Sequence, residues 1–346
     1  MTTRTSNRTT NTKTSRAQPA RPGKLPRGSW TAILKRSIRE MKDDDLTDRS
    51  AALTYYGVLA LFPALLVVVS VLGLLGESTT QKVLDNLGQA TPGDVNDFLR
   101  NVVSQVQGRA GAASIAAIVG LAIALWSASG YVAAFMRAAN VIYDIDEGRP
   151  VWRTATVRLL TTIGLVIMLV VAAAIVVLTG PIATQVGDAI GVGNGIVLAW
   201  DIAKWPVLVV LVGGMLTLLY KSTPNVKQPG FKWASPGVAI AVLVWMIGSG
   251  AFAVYVGFSG SYNKTYGSLA TVIIFLVWLW LTNTAILLGA EVNAEVQRER
   301  AIQAGLPANV EPFTEARDVR KLDADQRERV EKANRIRRRL FHRAPN

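Results

Sequence analysis

The residues best suited to chemistry lie in Tyr262-Asn263-Lys264-Thr265-Tyr266-Gly267-Ser268, immediately before the apolar run that begins at Leu269. Two phenols, an amide, an ammonium and two small hydroxyls at a helix N-terminus suit an anion, such as a phosphate or a lipid headgroup. The same stretch equally fits a tight loop with interfacial tyrosines and a lysine reaching to water. Further along the run come Thr282-Asn283-Thr284, then Glu291, Asn293 and Glu295. At about 1.5 Å per residue, Asn283 lies roughly 22 Å from Ser268 and Glu291 roughly 35 Å away, so Lys264 and Glu291 mark opposite membrane faces. Asn283 needs a packing partner or a polar path. Glu291 and Glu295 share a helix face, and their repulsion calls for a cation, for which Arg137 and Arg149 are the candidates. The pair then serves a salt-bridge network or a proton relay.

A second constellation is Trp126-Ser127-Ala128-Ser129-Gly130-Tyr131, followed by Arg137, Asn140, Tyr143, Asp144, Asp146, Glu147 and Arg149. Its small residues predict close helix packing. Tyr55 and Tyr56 fit an aromatic belt. The inventory also excludes chemistries. With no cysteine and one histidine, His342, thiolate nucleophiles, Cys zinc sites, His-rich metal sites and Ser-His-Asp triads have no ligands or bases. Asp43 to Asp48 read as a solvated acidic run, and no phosphate-binding glycine loop occurs. A metal site made only of carboxylates has poor candidates, since Glu291 and Glu295 sit at a membrane edge, and no cofactor or catalytic residue is expected.

These residues must be positioned by membrane helices. Half of the 346 residues are apolar, yet the net charge is +13, and the two excesses occupy different parts of the chain. Six apolar runs predict spans at about 51–75, 112–135, 157–179, 202–220, 236–258 and 269–290. Pro63 predicts a kink in the first, and Asp201, Lys204 and Pro206 interrupt the start of the fourth. Helical spacing of Trp30, Ile33, Leu34, Ile38 and Met41 predicts an interfacial amphipathic helix, and residues 77–110 carry another. With both tails cytosolic, 32 of the 37 basic residues fall inside, including those of two short loops, which predicts an N-in, C-in topology. The expected organisation is a disordered basic arm at 1–28, a six-helix membrane domain at 29–298 and a charged tail at 299–346, where Asp325–Arg329, Glu328–Lys332 and Glu331–Arg335 favour a solvated helix.

The chain resembles the YihY/BrkB family of bacterial inner-membrane proteins. The matching pieces are Asp48 through Ala51-Ala52-Leu53-Thr54-Tyr55-Tyr56 to Phe62-Pro63; Ser127 to Gly130 with Arg137, Asn140 and Tyr143; Leu219-Tyr220 through Pro224-Asn225; Trp233 to Gly237; Ser261 to Leu269; and Gly289 to Glu295. This resemblance implies six transmembrane helices and an envelope role in the cytoplasmic membrane. Family members are often labelled ribonucleases of a type that uses histidine-rich zinc coordination, which this histidine-poor sequence does not support. Two functions follow as expectations. One is a permease or flippase-like transporter of an anionic lipid or amphipathic solute, with Tyr262, Asn263, Lys264, Thr265, Tyr266 and Ser268 outside, Asn283 in the span, and Arg137, Asn140, Glu291, Asn293 and Glu295 inside. It predicts a polar cavity or groove between the last two spans that reaches Asn283. The other is a non-enzymatic scaffold whose basic tails recruit a protein partner or anionic lipids. Nucleic acid is not an expected partner, because topology already accounts for the cytosolic arginines.

Overall fold

The computed structural model describes residues 25–74, 113–177, 194–228, 235–258 and 269–341. Eight helices are found among them: α1 Arg27–Asp43, α2 Leu46–Leu74, α3 Ala113–Ile142, α4 Val151–Val177, α5 Asn194–Ser222, α6 Pro236–Phe258, α7 Leu269–Gln303 and α8 Ala324–Phe341. The described residues contain no strand, only an isolated antiparallel bridge between Val226 and Ala316. The described residues are all-α, as the run lengths predict.

Four helices of the described residues are long and apolar enough to cross a membrane: Val151–Val176, Leu198–Ser222, Pro236–Phe258 and Ala270–Gln303. Their outward faces carry exposed Leu160, Ile167, Trp205, Ile247 and Phe258. In water such continuous apolar cover would drive association, whereas lipid accepts it without cost. Several polar side chains within the apolar stretches bond to a neighbouring helix. Trp245 Nε1 donates to Thr282 Oγ1 at 3.2 Å, and Trp278 Nε1 donates to Ser249 Oγ at 3.1 Å. Helix α5 starts at Asn194 and runs through Asp201, Lys204 and Pro206, so the predicted interruption is absent. The predicted amphipathic helix within 77–110 lies outside the described residues.

Small residues set how closely the helices meet. A Cβ at Gly289 would lie 2.5 Å from Tyr220 Oη and from the Gly237 carbonyl, so α6 and α7 cross at glycine on both sides. The Tyr220 hydroxyl donates to Ile286 O at 2.7 Å, which adds α5 to that junction. Helices α2 and α3 form the most extensive pairing, where Gly130 gives room for the Tyr56 ring.

At about 1.5 Å per residue, the 35 residues of α7 extend roughly 52 Å, well beyond a hydrocarbon core of about 30 Å. Its C-terminal end therefore projects past the apolar layer. There α1 packs against it, burying Ile33 beside Val292 and Val296. The chain after α7 folds back over the same end. Ala316, Leu322 and Val330 join the main core with Phe135, Tyr143, Leu219 and Tyr220, and Leu306 and Ala333 are also buried. Residues beyond 298 thus continue α7 and then cover the polar end of the bundle.

Candidate functional site

At this polar end, the C-termini of α1, α3 and α7 and the returning segment enclose a cavity of about 150 Å³. Its walls bring together six carboxyl groups: Glu40 and Asp44 from the end of α1, Asp144 after α3, Glu291 and Glu295 from α7, and Glu311 from the returning segment. Phe313, Thr314, Tyr143 and Arg298 complete much of the wall. Helix periodicity places Glu291, Glu295 and Arg298 on one face of α7. Asp144 has φ 53°, a left-handed conformation that aspartate tolerates better than most residues, and it ends the helical turn there.

The positive charge at the cavity neutralises only part of this set. Arg36 Nε donates to Glu295 Oε2 at 2.5 Å, and its Nη2 donates to Glu299 at 2.7 Å. Arg298 Nη1 bridges Glu295 at 3.2 Å and Glu40 at 3.1 Å, with its guanidinium 4.7 Å from the Phe313 ring centre. Glu291 is 2% exposed, and its Oε2 has no hydrogen-bond partner. Thr314 Oγ1 is likewise buried and unpartnered. The Tyr143 hydroxyl accepts from Gln228 and Gln297, leaving its own proton available for an acceptor.

The acids outside the membrane helices respond to this crowding. Loss of water around Asp144, then the negative charges of Glu311, Asp44 and Glu40, push it up to about 7. Desolvation and the neighbouring Glu40 raise Asp44 to about 6. Burial also raises the Tyr143 phenol. The cavity therefore resists full ionisation near neutral pH.

A second polar cluster fastens the returning segment beside the cavity. Asn225 is fully buried; its Nδ2 donates to Asp146 O at 3.1 Å and Asp318 O at 2.8 Å, while its Oδ1 accepts from Asp318 N at 3.0 Å. Its own N–H donates to Asn140 Oδ1 at 2.8 Å. Arg149, 2% exposed, binds Glu147 through Nε at 2.7 Å and Nη2 at 2.6 Å, and also donates to Thr223 O at 2.6 Å. Burial alone would raise Glu147, but the Arg149 hydrogen bonds and charge hold it below its ordinary range. Hydrogen bonds from Arg320 draw Asp318 down to about 2.

The structure separates the residues singled out from the sequence. Glu291 and Glu295 meet in the cavity, but their expected cations do not reach them. Arg149 is committed to Glu147, and Arg137 sits exposed with its guanidinium 5.8 Å from the Tyr56 ring centre. Arg36 and Arg298 supply the charge to Glu295 instead, because α1 packs along α7 and Arg298 lies three residues on. Asn140 belongs to the Asn225 cluster. Asn293 accepts from Gly237 N at 2.9 Å and donates to Ser235 Oγ at 3.1 Å, capping α6.

Asn283 is 1% exposed, accepting from the Tyr131 hydroxyl at 2.8 Å and donating to Thr54 Oγ1 at 3.1 Å. Among the described residues, the polar groove predicted to reach it is not seen. The cleft between α6 and α7, about 90 Å³ and walled mainly by apolar groups such as Trp245 and Leu281, stops short of Asn283. Tyr262, Asn263, Lys264, Thr265, Tyr266 and Ser268 lie outside the described residues. Asp44, read as solvated, is a cavity wall. Asp144 stood in the second constellation of the sequence without a link to Glu291, and Glu40, Glu311 and Thr314 carried no local signal, since only the fold brings them there.

Long apolar helices, glycine crossings and a charged end define an all-helical membrane protein. The family model for virulence factor BrkB matches residues 37–312, and the chain belongs to that family. It is 28% identical over 254 residues to YfkH of Bacillus subtilis, a protein named only as ribonuclease-like; the match covers 73% of this chain and 91% of that one. A UPF0761 membrane protein of Photobacterium profundum is 27% identical over 305 residues, covering 85% and 89% of the two chains. Another UPF0761 membrane protein, from Rhodospirillum centenum, is 25% identical over 290 residues, covering 81% of this chain and 60% of its own. No solved structure matches the chain.

Proposed function

We propose that this chain is a six-span permease of an amphipathic envelope solute in the bacterial cytoplasmic membrane, with both termini cytosolic and its middle closed in this state. In this reading α2 and α3 are the two spans beyond the four counted above, and the polar end faces the cytosol. The observation that carries it is the cavity: several carboxyl groups that are not ion-paired, gathered at the helix ends of an otherwise apolar bundle. Such a feature costs stability, and ionisable groups gathered at a membrane bundle suit an ion or solute path. The sequence holds no nucleotide-binding loop, so movement is passive or driven by an ion gradient. The unpaired acids at this end disfavour an anionic headgroup there, and the sequence run Tyr262–Ser268 with Lys264 is the proposed place for one.

Vesicles reconstituted with the protein and labelled lipids or amphiphiles test this. Glu291→Gln and Lys264→Ala are expected to slow flux, and equal flux in wild type and both variants argues against the site assignment. A scaffold reading draws on α8, whose exposed Arg335, Arg338 and Arg339 form a basic face for an anionic membrane surface or an acidic partner. Reversing those three charges should then abolish function while leaving vesicle flux intact.

A further inference from the structure

The cavity at the polar end holds more negative charge than the protein supplies with partners. Glu40 and Glu295 are paired through Arg298 and Arg36, whereas Asp44, Asp144, Glu291 and Glu311 have no salt bridge within 4 Å among the described residues. The Glu291 carboxylate is the deepest of these, and its buried Oε2 meets no donor. Thr314 Oγ1 adds a second unpartnered buried oxygen in the same wall. A buried carboxylate left without a protein donor or counter-charge is costly, so an arrangement of this kind favours uptake of a proton or a cation into the cavity.

The space suits one. A polar cavity needs roughly 10–15 Å³ to hold a water, so about 150 Å³ admits several waters together with an ion. No three of the described acids converge closely enough to ligate a metal ion directly, so an inorganic cation would keep much of its water.

We propose that this cavity binds one exchangeable cation, a proton or a hydrated inorganic ion, with Glu291 as its principal partner and Asp144 and Asp44 as secondary ones. The groups facing it are Glu40, Asp44 and, behind Glu295, Arg36 from α1 and its end; Tyr143 and Asp144 after α3; Glu295 and Arg298 from α7; and Glu311 from the returning segment. Arg298 pairs with Glu40 and Glu295 and leaves the remaining acids to the ligand. The inference deepens the permease reading, on which any coupling role rests, while occupancy itself is measurable in the resting protein.

The test uses the full chain in lipid nanodiscs, without any transported solute. Infrared spectroscopy follows the C=O stretch of protonated carboxyl groups during a pH titration, and calorimetry follows Na⁺, K⁺ and Mg²⁺ at fixed pH. A protonated-carboxyl band that titrates and disappears in Glu291→Gln identifies a proton. Binding heat for one inorganic ion, with affinity at least tenfold weaker in Glu291→Gln, identifies that ion. Glu315→Gln, on an exposed pair with Lys227, is expected to match wild type in both arms. The proposal is overturned if wild type shows neither signal, or if Glu291→Gln keeps whichever signal wild type shows. A bound cation without vesicle flux would refute the permease alone, and flux without a cation would refute only this site.

Discussion

A carboxylate oxygen buried away from every protein donor has few ways to be stabilised, and Glu291 is the clearest case among the described residues. An amide of the same shape carries no charge into that position, so Glu291→Gln is expected to melt at or above the wild-type temperature by circular dichroism. A large loss of stability would mean that the charge itself holds the fold. Asp144 and Asp44 give a pH dependence of defined sign. Their folded values, about 7 and about 6, lie above the ordinary 3.8, so the folded protein keeps protons that the unfolded chain releases. Stability from these groups is complete in acid and declines as pH rises from about 4 to about 7. Asp318, held at about 2, acts oppositely, and its contribution disappears as pH falls from about 4 to about 2. Melting across the upper window should fall more gently in Asp144→Asn than in wild type. Of these residues the sequence exposes Glu291 and Glu295, because i,i+4 spacing is a local signal. Asp44 sits in an acidic run that looks solvated, and its cavity role depends on α1 turning beside α7.

At the scale of elements, close approach and polar fastening are the features to test. Adding a methyl at Gly289 puts it against the Gly237 carbonyl and the Tyr220 hydroxyl, so α6 and α7 must separate. Gly289→Ala is expected to cost about 3 kcal/mol, at the upper end of overpacking effects, with a matching fall in thermal stability. Asn225→Ala removes three side-chain hydrogen bonds that join the end of α3 to the returning segment. It leaves buried backbone groups unpaired, at an expected cost of about 3 kcal/mol, and limited proteolysis should then cut after α7 first. Apolar runs made the long helices legible, since hydrocarbon thickness fixes their length. The start of α5 was not legible, because Pro206 and two charges look like breaks in a window of sequence yet are accommodated within one helix. Helix α8 was visible from its acid–base pairs, but its buried stripe of Val330, Ala333 and Arg337 is short and surrounded by charge, which hides its packing role.

For the whole molecule, the chain after α7 completes the core and cannot be treated as a detachable tail. Deleting residues 301–346 removes buried Leu306, Ala316, Leu322 and Val330 and uncovers Tyr143 and Tyr220. The truncated protein should express poorly or aggregate, so the deletion cannot separate scaffold from permease, and reversal of exposed α8 charges serves that purpose better. The absence of native cysteine makes orientation directly measurable, because any introduced thiol is unique. Asp144 lines the cavity with its carboxyl partly desolvated while the residue keeps surface open to solvent, so it is the position that reports on it. The decisive measurement is labelling of Asp144→Cys by a membrane-impermeant thiol reagent in oriented bacterial vesicles, with Asp325→Cys on α8 as the control for reagent access. A cavity open to the cytosol predicts that both cysteines react in inside-out vesicles and neither reacts in intact cells. Reaction of Asp144→Cys from the outer face, or its silence in vesicles where Asp325→Cys reacts, would contradict it.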